Sequence, residues 1–269
     1  MKTIITLTLI LYSFINCYSQ TSKDYKESGL EKLNLQDYHG SILDFTKAIE
    51  LEPNDKGSYL NRGFSRLEIK DYQGAILDYT KVIEIDPSFE FAYFNRGNSK
   101  DELQDYLGAI SDYTKAIELL PDFRIAYFSR GGSKINIEDY KGAIADYTRV
   151  IELRPDDTDA YVNRGYSKHC LKEYYGAIED YNKVLNLDVN NINAYLYRGN
   201  SKFALEDYQG AFEDYSKTVE LDPNEGLYYF KRGLVKLLLN QKNSGCLDLY
   251  KARELGTEDA INAIQDLCK

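Results

Sequence analysis

A spacing of 34 residues constrains this chain more than any other feature. An acidic residue followed by tyrosine recurs at Asp37, Asp71, Asp105, Asp139, Glu173 and Asp207, each 34 residues after the last. The next step falls on Gln241, where the pattern has decayed. A fixed period of this length means an array, in which each unit is too small to bury its own apolar face and must stack on its neighbours. Thirty-four residues accommodate two short helices and two turns.

Inside the unit the chemistry repeats by column. Tyr25, Tyr59, Tyr93, Tyr127, Tyr161, Tyr195 and Tyr229 open the first helix. Four residues later stand Gly29, Gly63, Gly97, Gly131, Gly165, Gly199 and Gly233. Glycine inside a helix costs about 1 kcal/mol against alanine, so its return at one phase predicts a recurrent close helix crossing. In the second helix, Ala109, Tyr113, Ala116 and Ile117 lie on one helical face, with equivalents in the other units. Pro53, Pro87, Pro121, Pro155 and Pro223 close that helix, because proline cannot continue the hydrogen-bond ladder.

The recurring Tyr-x-x-x-Gly, Asp-Tyr-x-Gly-Ala-Ile and Tyr-x-x-Ala/Val-Ile-Glu-Leu-x-Pro closely resemble the tetratricopeptide repeat (TPR) family, from about Ser22 to Leu255. The resemblance implies an all-α, right-handed superhelical solenoid of helix-turn-helix repeats. Residues 20–257 would form a seven-repeat array phased as 22–55, 56–89, 90–123, 124–157, 158–191, 192–225 and a degenerate 226–259. Val189 replaces proline at the end of the fifth unit, which predicts a looser junction. Residues 258–269 read as a C-terminal cap helix, with Gly256 ending the helix before it and Thr257 as N-cap. Ile261, Ile264, Leu267 and Cys268 would form its apolar face.

The first nineteen residues stand apart. Lys2 precedes an apolar run from Ile4 to Ile15, and Cys17 and Ser19 are small residues just before Gln20. This is the pattern of a cleaved signal peptide over residues 1–19. The run is shorter than the roughly 20 residues a bilayer span needs, and no other segment is apolar enough to span a membrane. Export to the periplasm or medium of a bacterium is expected. Lipidation at Cys17 is the lesser alternative, since Phe14-Ile15-Asn16 is a poor lipobox. The net charge of −10, with no run of Lys and Arg, argues against a nucleic-acid partner.

Two charge columns run through the array. Arg62, Arg96, Arg130, Arg164, Arg198 and Arg232 stand three residues after the helix-opening tyrosine, where the TPR family commonly has an apolar packing residue. Asp44, Asp78, Asp112, Asp146, Asp180, Asp214 and Asp248 lie on the second helices. They predict an Arg–Asp ladder or a solvated charge stripe. Six arginines and seven aspartates leave the register open, since Arg62 could face Asp44 or Asp78.

By resemblance, the first helices of a TPR array line its concave face. The residues after the opening tyrosine, Leu60, Phe94, Phe128, Val162, Leu196 and Phe230, are then candidates to meet a ligand. Phe64, Phe91, Ile125, Ile135, Tyr166 and Phe203 join them, with Asn61, Asn95, Asn98 and Asn163 interleaved. Apolar anchors with amides suit a peptide or protein segment. The same stripe could instead be consumed by packing between first helices. The chaperone-binding TPR subclass reads a C-terminal carboxylate with Lys and Arg. Here those phases are mostly apolar, with Lys26 and Lys231 as isolated exceptions, so that ligand is not expected.

Cys246 and Cys268 each lie eleven residues from Thr257, the turn between the last repeat and the cap. Equal distance from a turn puts them at one height on an antiparallel helix pair, which predicts either a disulfide or two buried thiols. Cys170 is left as a free thiol. Catalytic patterns are missing: His39 and His169 lie in different units, and no metalloprotease, redox, nucleophile-elbow or phosphate-loop motif occurs. No cofactor or metal is expected. The expectation is a non-enzymatic protein-interaction scaffold. The alternative is a chaperone-like assembly or secretion factor of the cell envelope. Oligomeric state is not legible.

Overall fold

The computed structural model describes residues 20–268. The signal-like segment, with Cys17, lies outside the described residues. Among the described residues there are fifteen helices and no strand, and no helix is long and apolar enough to cross a membrane. The described residues divide into two compact units, 20–121 and 122–268. The first holds three helix pairs: α1 (Ser22–Asn34) with α2 (Tyr38–Leu51), α3 (Lys56–Glu68) with α4 (Tyr72–Ile85), and α5 (Glu90–Glu102) with α6 (Tyr106–Leu119). The second holds four: α7 (Arg124–Asn136) with α8 (Tyr140–Leu153), α9 (Thr158–Cys170) with α10 (Tyr174–Leu187), α11 (Ile192–Ala204) with α12 (Tyr208–Leu221), and α13 (Gly226–Leu238) with α14 (Lys242–Glu254). A last helix, α15 (Asp259–Leu267), packs on α14. Within each unit every helix packs on the next, the all-α solenoid arrangement.

The helix ends follow from local chemistry. Asp71 accepts from the amide of Gly74 at 3.0 Å, and Asp37, Asp105, Asp139 and Asp207 cap their helices alike. Glu173 makes no such bond, its carboxylate carried one methylene too far. Each first helix ends on a left-handed residue: Gln36, Lys70, Gln104, Glu138, Lys172, Glu206 and Asn240 all have φ between 60 and 63°. After it the chain folds back, with the Asp71 amide reaching the Arg66 carbonyl at 2.8 Å, and so satisfies carbonyls that the helix leaves open. Val189 changes nothing in the backbone: Asp188 caps α10 at φ −138°, as Asp222 caps α12.

The glycine column marks a close crossing. A Cβ built on Gly165 would stand 2.8 Å from the Tyr181 ring, and one on Gly97 would stand 2.7 Å from Tyr113. Phe45 and Leu249 fill the tyrosine's place against Gly29 and Gly233. The alanines of both helices seal the rest, with Ala75, Ala109, Ala143, Ala160, Ala177 and Ala194 all fully buried.

The charge columns form a buried ladder with one register, Arg to the aspartate sixteen residues on. Arg164 donates Nε and Nη2 to the two oxygens of Asp180, at 3.0 and 2.6 Å. Its Nη1 donates to Thr148 of the preceding second helix at 3.2 Å, and its guanidinium lies over the Tyr161 ring at 5.4 Å. Arg62–Asp78, Arg96–Asp112, Arg130–Asp146, Arg198–Asp214 and Arg232–Asp248 repeat the bidentate pair. The seventh aspartate belongs to the first repeat, where Ser28 stands in the arginine's place and donates to Asp44 at 2.6 Å. A solvated stripe is excluded, because Asp180 is 3% exposed. One turn beyond each arginine a second cation reaches the same carboxylate: Arg66, Lys100, Lys134, Lys168, Lys202 and Lys236, with Lys32 in the first repeat.

The C-terminus departs from expectation. Gly256, at φ 92°, ends α14, but Thr257 does not cap α15, which begins at Asp259 with no side-chain cap. The Thr257 hydroxyl lies instead against Gly226, where a Cβ would stand 2.3 Å from it. Nor does α15 bury the predicted face. Ala260 is fully buried, whereas Ile261 and Leu267 are each 45% exposed. Cys246 and Cys268 are disulfide-bonded with Cα atoms 5.7 Å apart, closing α15 onto α14, and Cys170 is a free thiol.

Candidate functional site

Each first helix uses two sides differently. On α9, Tyr161, Arg164, Gly165 and Lys168 serve the crossing and the ladder, and leave Val162, Asn163, Tyr166 and His169 for the other side. In the second unit these leftover positions converge. Phe128 and Ile135 from α7, Asp159, Val162, Asn163 and Tyr166 from α9, and Asn193 and Tyr197 from α11 line a cleft of about 440 Å³. Five of these eight were singled out from sequence. Ile125 lines a neighbouring cleft of about 330 Å³, which shares Phe128 and Asp159 and is bordered by the Arg124–Asp157 ion pair at 2.8 Å. Phe203 and Phe230 line a third, of about 260 Å³.

Packing takes part of this face. Phe128 meets the Tyr147 ring edge-on at 5.4 Å, and Val162 packs on the cluster around Tyr181. Leu196 does not belong to the site. It is 8% exposed and packs with Ala211, Tyr215 and Val235 in the core, since α11 presents Tyr197 to the cleft in its stead. In the first unit Phe64 and Phe91 are exposed, and Leu60, Asn61 and Asn95 are half-buried. Phe94 packs on Tyr113 at 5.8 Å. Asn98 is occupied, since its Oδ1 accepts the Tyr113 hydroxyl at 2.8 Å. Asn200 accepts the Tyr215 hydroxyl in the same way at 2.9 Å. Where Phe64 and Tyr166 replace that asparagine, the buried hydroxyls of Tyr79 and Tyr181 meet no acceptor among the described residues.

What the second-unit cleft offers is apolar surface with free amides. The Asn163 side chain and that of Asn193 make no hydrogen bond among the described residues, and each can both donate to and accept from a peptide backbone. Tyr166 and Tyr197 line the cleft with their rings 6.1 Å apart, and Tyr140 packs on the Tyr166 ring at 6.5 Å. The adjoining Cys170 thiol and burial push the Tyr166 phenol up to about 12, so it stays a neutral donor. Further along, His169 bonds Ser201 through Nδ1 at 2.9 Å. Burial, then the nearby Lys231 ammonium, lower its pKa. No group of three or more metal-ligating side chains occurs among the described residues.

Sequence reasoning missed Tyr197, Asn193, Asp159, His169 and Asn200. The signal was present as helical spacing: Tyr166 to His169 and Tyr197 to Asn200 are each three residues apart, one turn on one face.

The tetratricopeptide repeat model matches residues 57–89, 92–123, 125–157 and 158–191. No curated protein matches. Among solved structures, the C-terminal part of a TPR repeat-containing protein from Cytophaga hutchinsonii aligns with a TM-score of 0.74 at 20% identity, over 87% of this chain and 97% of that one. A tetratricopeptide repeat protein from Parabacteroides merdae gives 0.66 at 20% identity, over 91% and 98%. YrrB, a TPR protein with an unusual peptide-binding site, gives 0.62 at 24% identity, over 68% and 95%. At these identities the likeness is one of fold. Four matched repeats, continued on either side by helix pairs that carry the same tyrosine and glycine columns, make this chain a tetratricopeptide-repeat protein.

Proposed function

We propose that this protein is a non-enzymatic interaction scaffold that holds a peptide or protein segment against the first helices of its second unit. The observation that carries the reading is the convergence of Phe128, Ile135, Val162 and Tyr166 with the unpartnered amides of Asn163 and Asn193 around one cleft. Apolar side chains supply anchoring area, and amides that are free to bond a main chain supply register without demanding one sequence. TPR proteins generally mediate protein–protein contacts, and YrrB is a peptide-binding example of the fold. The proposal includes export, supported by the signal-like pattern of residues 1–19 and by the Cys246–Cys268 disulfide, since such bonds persist in oxidising compartments.

Site-specific photocrosslinking tests it. A benzophenone side chain at Asn163 is expected to trap a partner segment in envelope extract, and one at exposed Lys183 of α10 is not. Equal trapping from both positions would remove the groove. One stoichiometric product is the scaffold's signature. A ladder of many unrelated products would instead make the protein a holder of exported clients.

A further inference from the structure

Two lysines interrupt the apolar run of the first helices, and their surroundings are opposite. Lys26 is neutralised: its Nζ lies 2.6 Å from Glu52 and 3.1 Å from Asp55. Lys231, on α13, has no carboxylate within ion-pair reach. Among the described residues it is the half-buried lysine of which this is true. Burial alone pulls its pKa down. An ammonium held against hydrocarbon is costly unless it is paired, and a folded chain of net charge −10 has no shortage of carboxylates to pair it with.

The cavity beside it explains what is missing. It measures about 260 Å³ and is walled by Phe203, Phe230 and Leu234, with Lys231, Asn200, His169 and the Tyr215 hydroxyl as its polar groups. Two of them, Lys231 and Asn200, are set to donate. The Asn200 Oδ1 is already taken by the Tyr215 hydroxyl, which leaves its NH₂. Ser201 spends its single hydrogen on the Tyr197 carbonyl at 3.0 Å, so the bond to His169 Nδ1 runs from the ring to the hydroxyl. The neutral imidazole is thereby fixed as the Nδ1–H tautomer, and its Nε2 is left as an acceptor, not a donor. No anion of the protein enters. One fixed cation and one amide match the single charge of a carboxylate, and would leave the second charge of a phosphate uncompensated in apolar walls.

Position ties this cavity to the cleft already described. His169 stands one helical turn beyond Tyr166, and Asn200 one turn beyond Tyr197, on the same side of α9 and α11. One turn along the axis and one helix across amount to about 10 Å, or about three residues of extended chain.

We infer that the Lys231 cavity takes the side-chain carboxylate of an internal Asp or Glu in the bound segment, set about three residues from the apolar residue that fills the Phe128–Tyr166 cleft. This rests on the reading of that face as a peptide groove. An internal side chain fits because a chain end would bring its charge on the main chain, whereas the apolar walls of Phe203, Phe230 and Leu234 favour a carboxylate reaching in on a methylene stem.

The test uses the purified full chain and a synthetic library of short random peptides, N-acetylated and C-amidated, with a matched free-acid library. Wild type is expected to enrich amidated peptides that carry Asp or Glu at a fixed offset from an aromatic or branched apolar residue. Lys231→Met is expected to lower affinity for those peptides by about thirtyfold or more, the range for unpairing a desolvated charge, and to leave peptides with Gln at that position unchanged. Lys231→Arg, which keeps the charge, is expected to retain the acidic preference. An unaltered melting curve for Lys231→Met establishes that folding is intact. Enrichment without acidic preference, or acidic preference that survives Lys231→Met, overturns the inference and leaves the groove standing. Preference confined to the free-acid library makes the ligand a chain end and also overturns it. If wild type enriches no peptide at all, the groove reading itself fails.

Discussion

The two sides of α9 obey different rules. Toward α10 it presents Tyr161, Arg164, Gly165 and Lys168, a set that recurs with little change in every repeat from the third to the seventh, at Tyr93, Arg96, Gly97 and Lys100 through to Tyr229, Arg232, Gly233 and Lys236. Away from it stand Val162, Asn163, Tyr166 and His169, whose counterparts two repeats earlier are Phe94, Asn95, Asn98 and Asp101. The recurring side solves one packing problem over and over. The variable side is released from that problem, and only there can a repeat acquire chemistry of its own.

The strongest way to break this contrast is to attack a ladder rung. Asp180 is 3% exposed and neutralises both Arg164 and Lys168, at 2.6 and 2.8 Å. In Asp180→Ala two half-buried cations lose their partner, and a loss of about 3–5 kcal/mol is expected, read from urea melts fitted with nearest-neighbour repeat coupling. Arg164→Met should cost less, because Lys168 still reaches the carboxylate. A melt of Asp180→Ala that matches wild type would reduce the ladder to decoration.

Two glycines of the second unit sharpen the comparison with opposite signs. Gly165→Ala drives a methyl to 2.8 Å from the Tyr181 ring, and overpacking of this kind costs about 1–3 kcal/mol. Gly132, also in mid-helix on α7, meets nothing nearer than the Tyr147 hydroxyl at 3.7 Å. Gly132→Ala should therefore stabilise by up to about 1 kcal/mol through helix propensity alone. Thermal melts of the two variants check the sign.

A smaller test sits where the two sides meet. The Tyr181 hydroxyl is buried without an acceptor, so Tyr181→Phe removes an unsatisfied group and should be neutral or stabilising by about 1 kcal/mol. Tyr215→Phe strips a hydrogen bond from Asn200 and should destabilise by about 1 kcal/mol. Equal effects in paired melts would mean that the asparagine column has no role in holding the second helix.

These contrasts explain what could be read from the chain. Period, helix pairing and the glycine–tyrosine crossing were legible because repetition averages away local noise. The ladder's members were legible, but not its register, since Asp44 looks like any other aspartate until Ser28 is seen in the arginine's place. The second cation of each rung, such as Lys100 or Lys134, went unnoticed although its column is as regular, because lysine on a helix usually means solvent. The cleft was only half legible. Leu196 and Phe128 share a phase in sequence, yet one is core and the other lines a cleft. Neighbouring side-chain volume decides such a difference, and no single column carries it. The cap failed in the same way, since the residue it buries is the small Ala260 and not the larger Ile261 or Leu267.

The least stability and the most function should be lost at Asn163 and Asn193. Neither side chain bonds anything among the described residues, and Asn193 is exposed. Truncating an exposed, unpartnered side chain changes stability by no more than about 0.5 kcal/mol, and alanine also raises helix propensity slightly. The double change Asn163→Ala and Asn193→Ala should then melt with wild type while weakening peptide binding, each lost amide–backbone bond being worth about 0.5–1.5 kcal/mol. Calorimetry against a peptide enriched from the amidated library reads the second effect. If the double variant binds as wild type does, the amides only wet the cleft. If it melts early, the variable side is carrying structure after all, and the contrast between the two sides of α9 fails at the position where it is drawn most sharply.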